Sequence, residues 1–214
     1  MQFESVFKHI GETKLPGFSG TRVMMMPIII GDLNSIPESL AHYRETFKAL
    51  FSMSDSKHHG QVGYITIDEK KVEAGKTHRR SGLHVDGVYD GKCGSWGGGG
   101  WGSVGNGMLT VSSIPGCKAY LQKFDGDVGR DGECDKIADQ CQEKNATVFG
   151  AGQVYWVDGL CVHESIPLTE TADRQFVRLS MPSTAPWFEG YSENPLGIKP
   201  TGPILARRKF MDVA

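Results

Sequence analysis

Beyond Gly60 the chain sustains no long apolar stretch, and short runs rich in β-branched and aromatic residues recur instead, each closed by glycine, aspartate or proline. They cover Tyr64–Asp68, Leu83–Tyr89, Met108–Ser113, Lys118–Lys123, Thr147–Phe149, Gln153–Val157 and Gln175–Met181. Short runs between turn residues predict strands, and a close series of them predicts a sandwich or barrel. The expected fold class is mainly β, α+β overall. Glycine makes up 28 of 214 residues, about 13% against a usual ~7%, which implies many tight turns or a glycine-rich loop. Two long loops are expected: Gly91–Gly107, around Trp96 and Trp101 with four glycines between them, and Gly126–Asn145, with a short helix near Lys136–Gln142.

Ahead of this region, residues 22–31 read as a buried strand closed by Gly31-Asp32. A helix is predicted next, because Ser35 and Glu38 have capping-box spacing. Ile36, Leu40, Tyr43, Phe47 and Leu50 then recur on one helical face, which is expected to pack on the sheet. From Pro186 on, the chain reads as irregular. With no internal repeat and no dividing linker, residues 1–214 are expected to form a single domain, with an N-terminal extension (1–59), a core of about 60–182 and a tail (183–214).

The net charge of −2 lacks the basic footprint of a nucleic-acid binder, so nucleic acid is not an expected partner. The apolar run Met24–Ile30 is far shorter than the roughly 20 residues of a membrane helix, so no membrane association is expected. The opening Met-Gln-Phe-Glu-Ser has no signal-peptide character, and the expected location is cytoplasmic. Cys93, Cys117, Cys134, Cys141 and Cys161 then read as thiols; an odd number without a Cys-x-x-Cys pair argues against structural zinc.

The chemistry-bearing residues lie in the β-rich region. In His84-Val85-Asp86, strand geometry sends His84 and Asp86 to one face and Val85 to the other. His163 sits in another β-like run. Two imidazoles and one carboxylate make a facial triad that leaves coordination positions open and suits non-haem Fe(II). On the run Arg174–Ser180, Arg174, Phe176, Arg178 and Ser180 share a face that offers an anion site, and the planar guanidinium fork matches a carboxylate.

This ordered set, His84-x-Asp86, the distal His163 and Arg178-Leu179-Ser180, resembles the Fe(II)- and 2-oxoglutarate-dependent dioxygenase superfamily over roughly Gly60 to Pro182. The resemblance implies a double-stranded β-helix, or jelly roll. It also implies Fe(II) on His84, Asp86 and His163, with Arg178, helped by Ser180, on the far carboxylate of 2-oxoglutarate. Arg174 competes for that role. The implied reaction consumes O2, releases succinate and CO2, and hydroxylates an unactivated C–H bond of a small-molecule or side-chain substrate.

Gly97, Gly99 and Gly102 formally match a dinucleotide fingerprint, but a strand rather than a helix is expected after them. Trp96 and Trp101 are instead candidates for substrate stacking. Arg80, with Arg79, would favour an anionic substrate if it faces the mouth of the site. Tyr64 and Tyr120, on predicted strands, are candidates for hydrogen bonds to the co-substrate. Two other readings stay open: a non-catalytic cupin-like binding module, and a cupin-type metalloenzyme that does not use 2-oxoglutarate.

Overall fold

The computed structural model describes residues 2–86, 107–129, 132–182, 187–202 and 204–205. In chain order its strands are β1 (Gln2–Ser5), β2 (Phe7–Glu12), β3 (Arg22–Ile29), β4 (Val62–Val72), β5 (Met108–Ser112), β6 (Cys117–Tyr120) and β7 (Gln122–Asp125), then β8 (Ala146–Val148), β9 (Gln153–Val157), β10 (His163–Ser165), β11 (Ala172–Ser180), β12 (Trp187–Phe188) and β13 (Ile204–Leu205). One α-helix, α1 (Arg44–Met53), and several 3-10 segments complete the described chain. The architecture is mostly β with antiparallel sheets, consistent with a β-sandwich. A six-stranded sheet runs β2-β9-β5-β11-β4-β3 and a three-stranded sheet runs β10-β6-β8, while β1 pairs with β7. No described helix is long and apolar enough to cross a membrane.

β11 shows how the sequence builds the two faces of the large sheet. Its side chains alternate, so Val177 and Leu179 enter one face while Arg174, Phe176 and Arg178 enter the other. The first face packs on α1: Ile65, Ile67, Leu109, Val111, Val177 and Leu179 share a core cluster with Phe47 and Leu50. Each fully buried Phe or Leu there stabilises the fold by roughly 1.5–3 kcal/mol. The second face looks toward the small sheet, where Met108, Tyr155 and Val157 meet Ala119 of β6.

The helix expected from Ser35 is not continuous. Two 3-10 segments, Leu33–Ser35 and Glu38–Tyr43, precede α1. Pro37 is the reason: the residue before a proline is disfavoured in the helical region, and Ile36 is extended at φ −88°, ψ 118°. Ser35 therefore does not cap a helix; its hydroxyl accepts from Ile29 N at 3.0 Å and donates to Asp32 O at 2.6 Å. The apolar stripe is nonetheless buried along its length, with Ile36, Leu40, Tyr43, Phe47 and Leu50 all in the core cluster.

Strands β1 and β2 carry no sequence signal strong enough to predict them. β2 alternates poorly, with Lys8 and His9 both exposed, and it is held by its pairing with β9. The predicted run Lys118–Lys123 is divided into β6 and β7 at Leu121, which is exposed and donates its N–H to Asn145 O. The expected strand around Leu83 is an isolated bridge at His84; residues from 87 on in that run lie outside the described residues. Cys117, Cys134, Cys141 and Cys161 are free thiols.

Candidate metal centre and its cavity

His84 and His163 form a reciprocal backbone pair: His84 N donates to His163 O at 2.9 Å, and His163 N donates to His84 O at 3.0 Å. Directly paired residues on antiparallel chains send their side chains to the same face. The two rings accordingly lie with centroids 4.4 Å apart. Asp86, two residues beyond His84, reaches the same point, its Oδ2 lying 3.9 Å from His163 Nε2. One ligand atom from each of His84, Asp86 and His163 lies within 4.8 Å of the others, so this group can hold a metal ion.

The hydrogen bonds of the rings decide which nitrogen faces that point. His84 Nδ1 lies 2.7 Å from Gly82 O, and His163 Nδ1 lies 2.9 Å from Cys161 O. A carbonyl oxygen only accepts, so each Nδ1 is the donor there and each Nε2 is the nitrogen left for a ligand. Metal-ligating imidazoles characteristically donate their second nitrogen to a carbonyl or carboxylate in this way. Burial, with the neighbouring His163 adding to it, pushes His84 down to about 4, so its ring is neutral at physiological pH. Two imidazoles and a carboxylate, with no thiolate in the group, form a donor set that suits Fe(II).

The triad opens into a cavity of about 160 Å³ between the sheets. Its walls are apolar at Met108, Phe149 and Val157 and cationic at Arg174 and Arg178. Arg178 is 5% exposed; its Nη1 lies 3.5 Å from Asp86 Oδ2 and its Nη2 lies 3.2 Å from Met25 Sδ. Arg174 is 1% exposed, and its Nε donates to Ile114 O at 3.0 Å. Its Nη1 has no hydrogen-bond partner among the described residues. Burial brings both guanidinium groups down to about 10, which leaves them charged at neutral pH. A buried cation with an unmade N–H bond is costly unless an anion completes it.

The other sequence candidates are distributed unevenly. Arg80 reaches the cavity wall, where its Nη2 bonds Glu133 Oε1 at 2.8 Å. Ser180 is buried beside Arg178, its Oγ 4.0 Å from Met25 Sδ. Tyr64 is buried away from the cavity lining, with its hydroxyl 3.2 Å from Thr201 Oγ1. Tyr120 is likewise turned away: its hydroxyl lies 3.4 Å from Glu143 Oε1, and Lys118 Nζ sits over its ring. Trp96 and Trp101, with the glycine run between them, lie outside the described residues.

Two further residues stand at the site, one lining the cavity and one in contact with Arg178 behind it. Arg79, considered only as a neighbour of Arg80, is fixed by a 2.7 Å bond to Asp68 Oδ2 and lies over the Phe176 ring at 5.2 Å from its centroid. Met25 is hidden inside an apolar run; the run of three consecutive methionines is the one unusual feature that marks the place.

No protein-family model matches the chain, and no curated protein matches it. Two solved structures, the apo form of the non-haem monooxygenase ThoJ and its nickel complex, are similar over 82% of this chain and 74% of theirs. Identities are 12% and 13% and TM-scores 0.34 and 0.31, a distance at which the likeness assigns no activity to this chain.

Proposed function

We propose that this protein is an Fe(II)- and 2-oxoglutarate-dependent oxygenase that hydroxylates a C–H bond of a small-molecule or side-chain substrate. The observation that carries the reading is the His84, Asp86, His163 group, within 4.8 Å, with both Nδ1 atoms tied to carbonyls so that Nε2 of each ring is left for a ligand. The strand order supports the double-stranded β-helix that this chemistry uses. β4-β11-β5-β9 runs through the large sheet, and the His84 segment joins β10-β6-β8 through its bridge to His163, giving two layers of four with the triad between them.

When bound, Fe(II) with 2-oxoglutarate and O2 supplies oxidative decarboxylation to succinate and CO2 coupled to oxidation of the substrate. The chain's own residues bind and orient. His84, Asp86 and His163 would hold the metal from one side and leave the cavity side open. Arg178 Nη1 lies 3.5 Å from Asp86 Oδ2 and so already faces a carboxylate. Arg174 lines the same cavity, with its Nη1 unpartnered among the described residues. We therefore assign the distal carboxylate to Arg174, with Arg178 orienting Asp86. Met108, Phe149 and Val157 exclude water from the space between.

The test is an anaerobic titration of Fe(II) into the protein with 2-oxoglutarate, followed by the visible charge-transfer band of a bidentate 2-oxo acid on iron. The band is expected in the wild type, absent in His84→Ala and shifted to higher 2-oxoglutarate concentration in Arg174→Ala. Stoichiometric metal binding without the band overturns the 2-oxoglutarate reading in favour of a cupin-type metalloenzyme. Absence of metal binding overturns both and leaves a binding module.

A further inference from the structure

Asp68 of β4 and Phe176 of β11 are direct partners across the two strands. Directly paired residues put their side chains on one face of a sheet. Arg79, from the segment that leads to His84, lies across both. Its Nη1 donates to Asp68 Oδ2 at 2.7 Å, and its guanidinium carbon stands 5.2 Å from the Phe176 ring centroid. An ion pair and a ring contact together hold this guanidinium at the cavity wall, which Phe176 also lines. Asp68 is 4% exposed, and His78 Nε2 lies 3.4 Å from its Oδ2. Although burial alone would raise the Asp68 carboxyl, His78 and Arg79 hold it well below the usual carboxylate range.

A guanidinium has five N–H donors, and the bond to Asp68 uses one of those of Arg79. The cavity also carries more positive charge than the metal and co-substrate answer. A dication and the dianionic 2-oxo acid cancel. Four arginines at the wall, Arg79, Arg80, Arg174 and Arg178, then face three carboxylates among the described residues: Asp68, Asp86 and Glu133. Asp68 is moreover shared with Arg22, whose Nε lies 3.4 Å from its Oδ1. Burial, and beyond it the charge of Arg79, brings Arg174 and Arg178 down to about 10, so the guanidinium groups feel one another. We propose that Arg79 anchors the carboxylate of the substrate, so that the cavity takes a small organic acid whose apolar chain lies along the Met108, Phe149 and Val157 wall toward the triad. Arg79 is thus a specificity-determining residue. The inference deepens the 2-oxoglutarate reading above and rests on it.

Hexanoate, with hexanamide as its uncharged match, tests this in Mn(II)-loaded protein saturated with 2-oxoglutarate. Bound Mn(II) speeds the proton relaxation of a ligand held near it, most strongly for the nearest protons. Hexanoate is expected to bind about tenfold tighter than hexanamide or better, with its methyl end relaxed more than the protons beside its carboxylate. Arg79→Gln is expected to remove that preference while 2-oxoglutarate affinity, followed by calorimetry, changes less than threefold. Arg79→Gln/Asp68→Asn replaces it if thermal melting shows the single variant unfolded, because the pair then loses both charges. The wild-type comparison of acid and amide needs no variant. Acid and amide bound alike, neither bound, fastest relaxation beside the carboxylate, or a preference kept without Arg79 overturns the inference and leaves the oxygenase reading intact. An Arg79→Gln variant that loses 2-oxoglutarate affinity instead does the same, by giving Arg79 to the co-substrate. A metal-loaded wild type that binds no 2-oxoglutarate overturns the oxygenase reading, and the inference with it.

Discussion

His84 and His163 hold each other by two backbone hydrogen bonds, 2.9 and 3.0 Å long, and the same pairing turns both imidazoles toward Asp86. The two rings are therefore oriented by main chain, before any ligand is present. A site built in this way is preorganised, and removing one member should be felt at the ligand rather than throughout the fold.

Replacing His163 by alanine should weaken Mn(II) or Zn(II) binding by at least a hundredfold, while the midpoint of thermal unfolding of the metal-free protein changes by a few degrees at most. Metal titration with parallel thermal melts checks both. Unchanged metal affinity would show that the triad is not the binding site.

Acid should destabilise the metal-free protein in a defined window. His84 is held at about 4 in the folded state, against ~6.5 when unfolded. Between these values the unfolded chain carries a proton that the folded chain does not, so stability is intact above the upper value and is lost as pH falls toward the lower. At about 1.4 kcal/mol per unit, the loss attributable to His84 is on the order of 3 kcal/mol. His78, also pushed down chiefly by burial, adds to it in the same direction. His84→Asn should flatten the profile of unfolding free energy between pH 4 and 7, leaving the part due to His78.

Gly116 approaches Arg174 so closely that a Cβ built there would lie 2.9 Å from the guanidinium carbon. Gly116→Ala must therefore displace Arg174 or strain the loop, at a cost of about 1–3 kcal/mol. We expect 2-oxoglutarate affinity to fall at least fivefold while Mn(II) affinity is kept. Titration of both ligands separates this outcome from general damage.

The far side of the large sheet makes a prediction independent of the cavity. Tyr43 donates to Glu69, and Gln175 Nε2 donates to both Tyr43 Oη at 3.0 Å and Glu69 Oε1 at 2.9 Å. Although burial alone would raise Glu69, these bonds and those from Ser19 and Thr21 N–H hold it down to about 2. Tyr43→Phe leaves a buried carboxylate short of a donor, which costs about 1–3 kcal/mol. The expected result is a lower unfolding midpoint by about 2–12 °C with metal affinity unchanged. An equal midpoint would show that the network is not a source of stability.

Much of this was determined along the chain. The alternation of β11 places Arg174, Phe176 and Arg178 on one face and Val177 and Leu179 on the other, because strand geometry has a period of two whatever the neighbours are. The same rule puts His84 and Asp86 on one side. Local chemistry also explains where the simplest reading of the helix stops short: Pro37 holds Ile36 extended, so the apolar stripe from Ile36 to Leu50 is buried by 3-10 segments and α1 rather than by one helix.

Long-range pairing decided the rest. The sequence alone determined which side chains share a face; only the tertiary structure decided what each face meets. The bridge from His84 to His163, the neighbours that distinguish Arg174 from Arg178, and the Met25 sulfur beside Arg178 all join strands distant in sequence. Periodicity is a property of a few consecutive residues. Register between strands is set by the whole core, and at this site it brings together a group able to hold a metal, a buried arginine with one unpartnered nitrogen and a methionine that no local pattern connects.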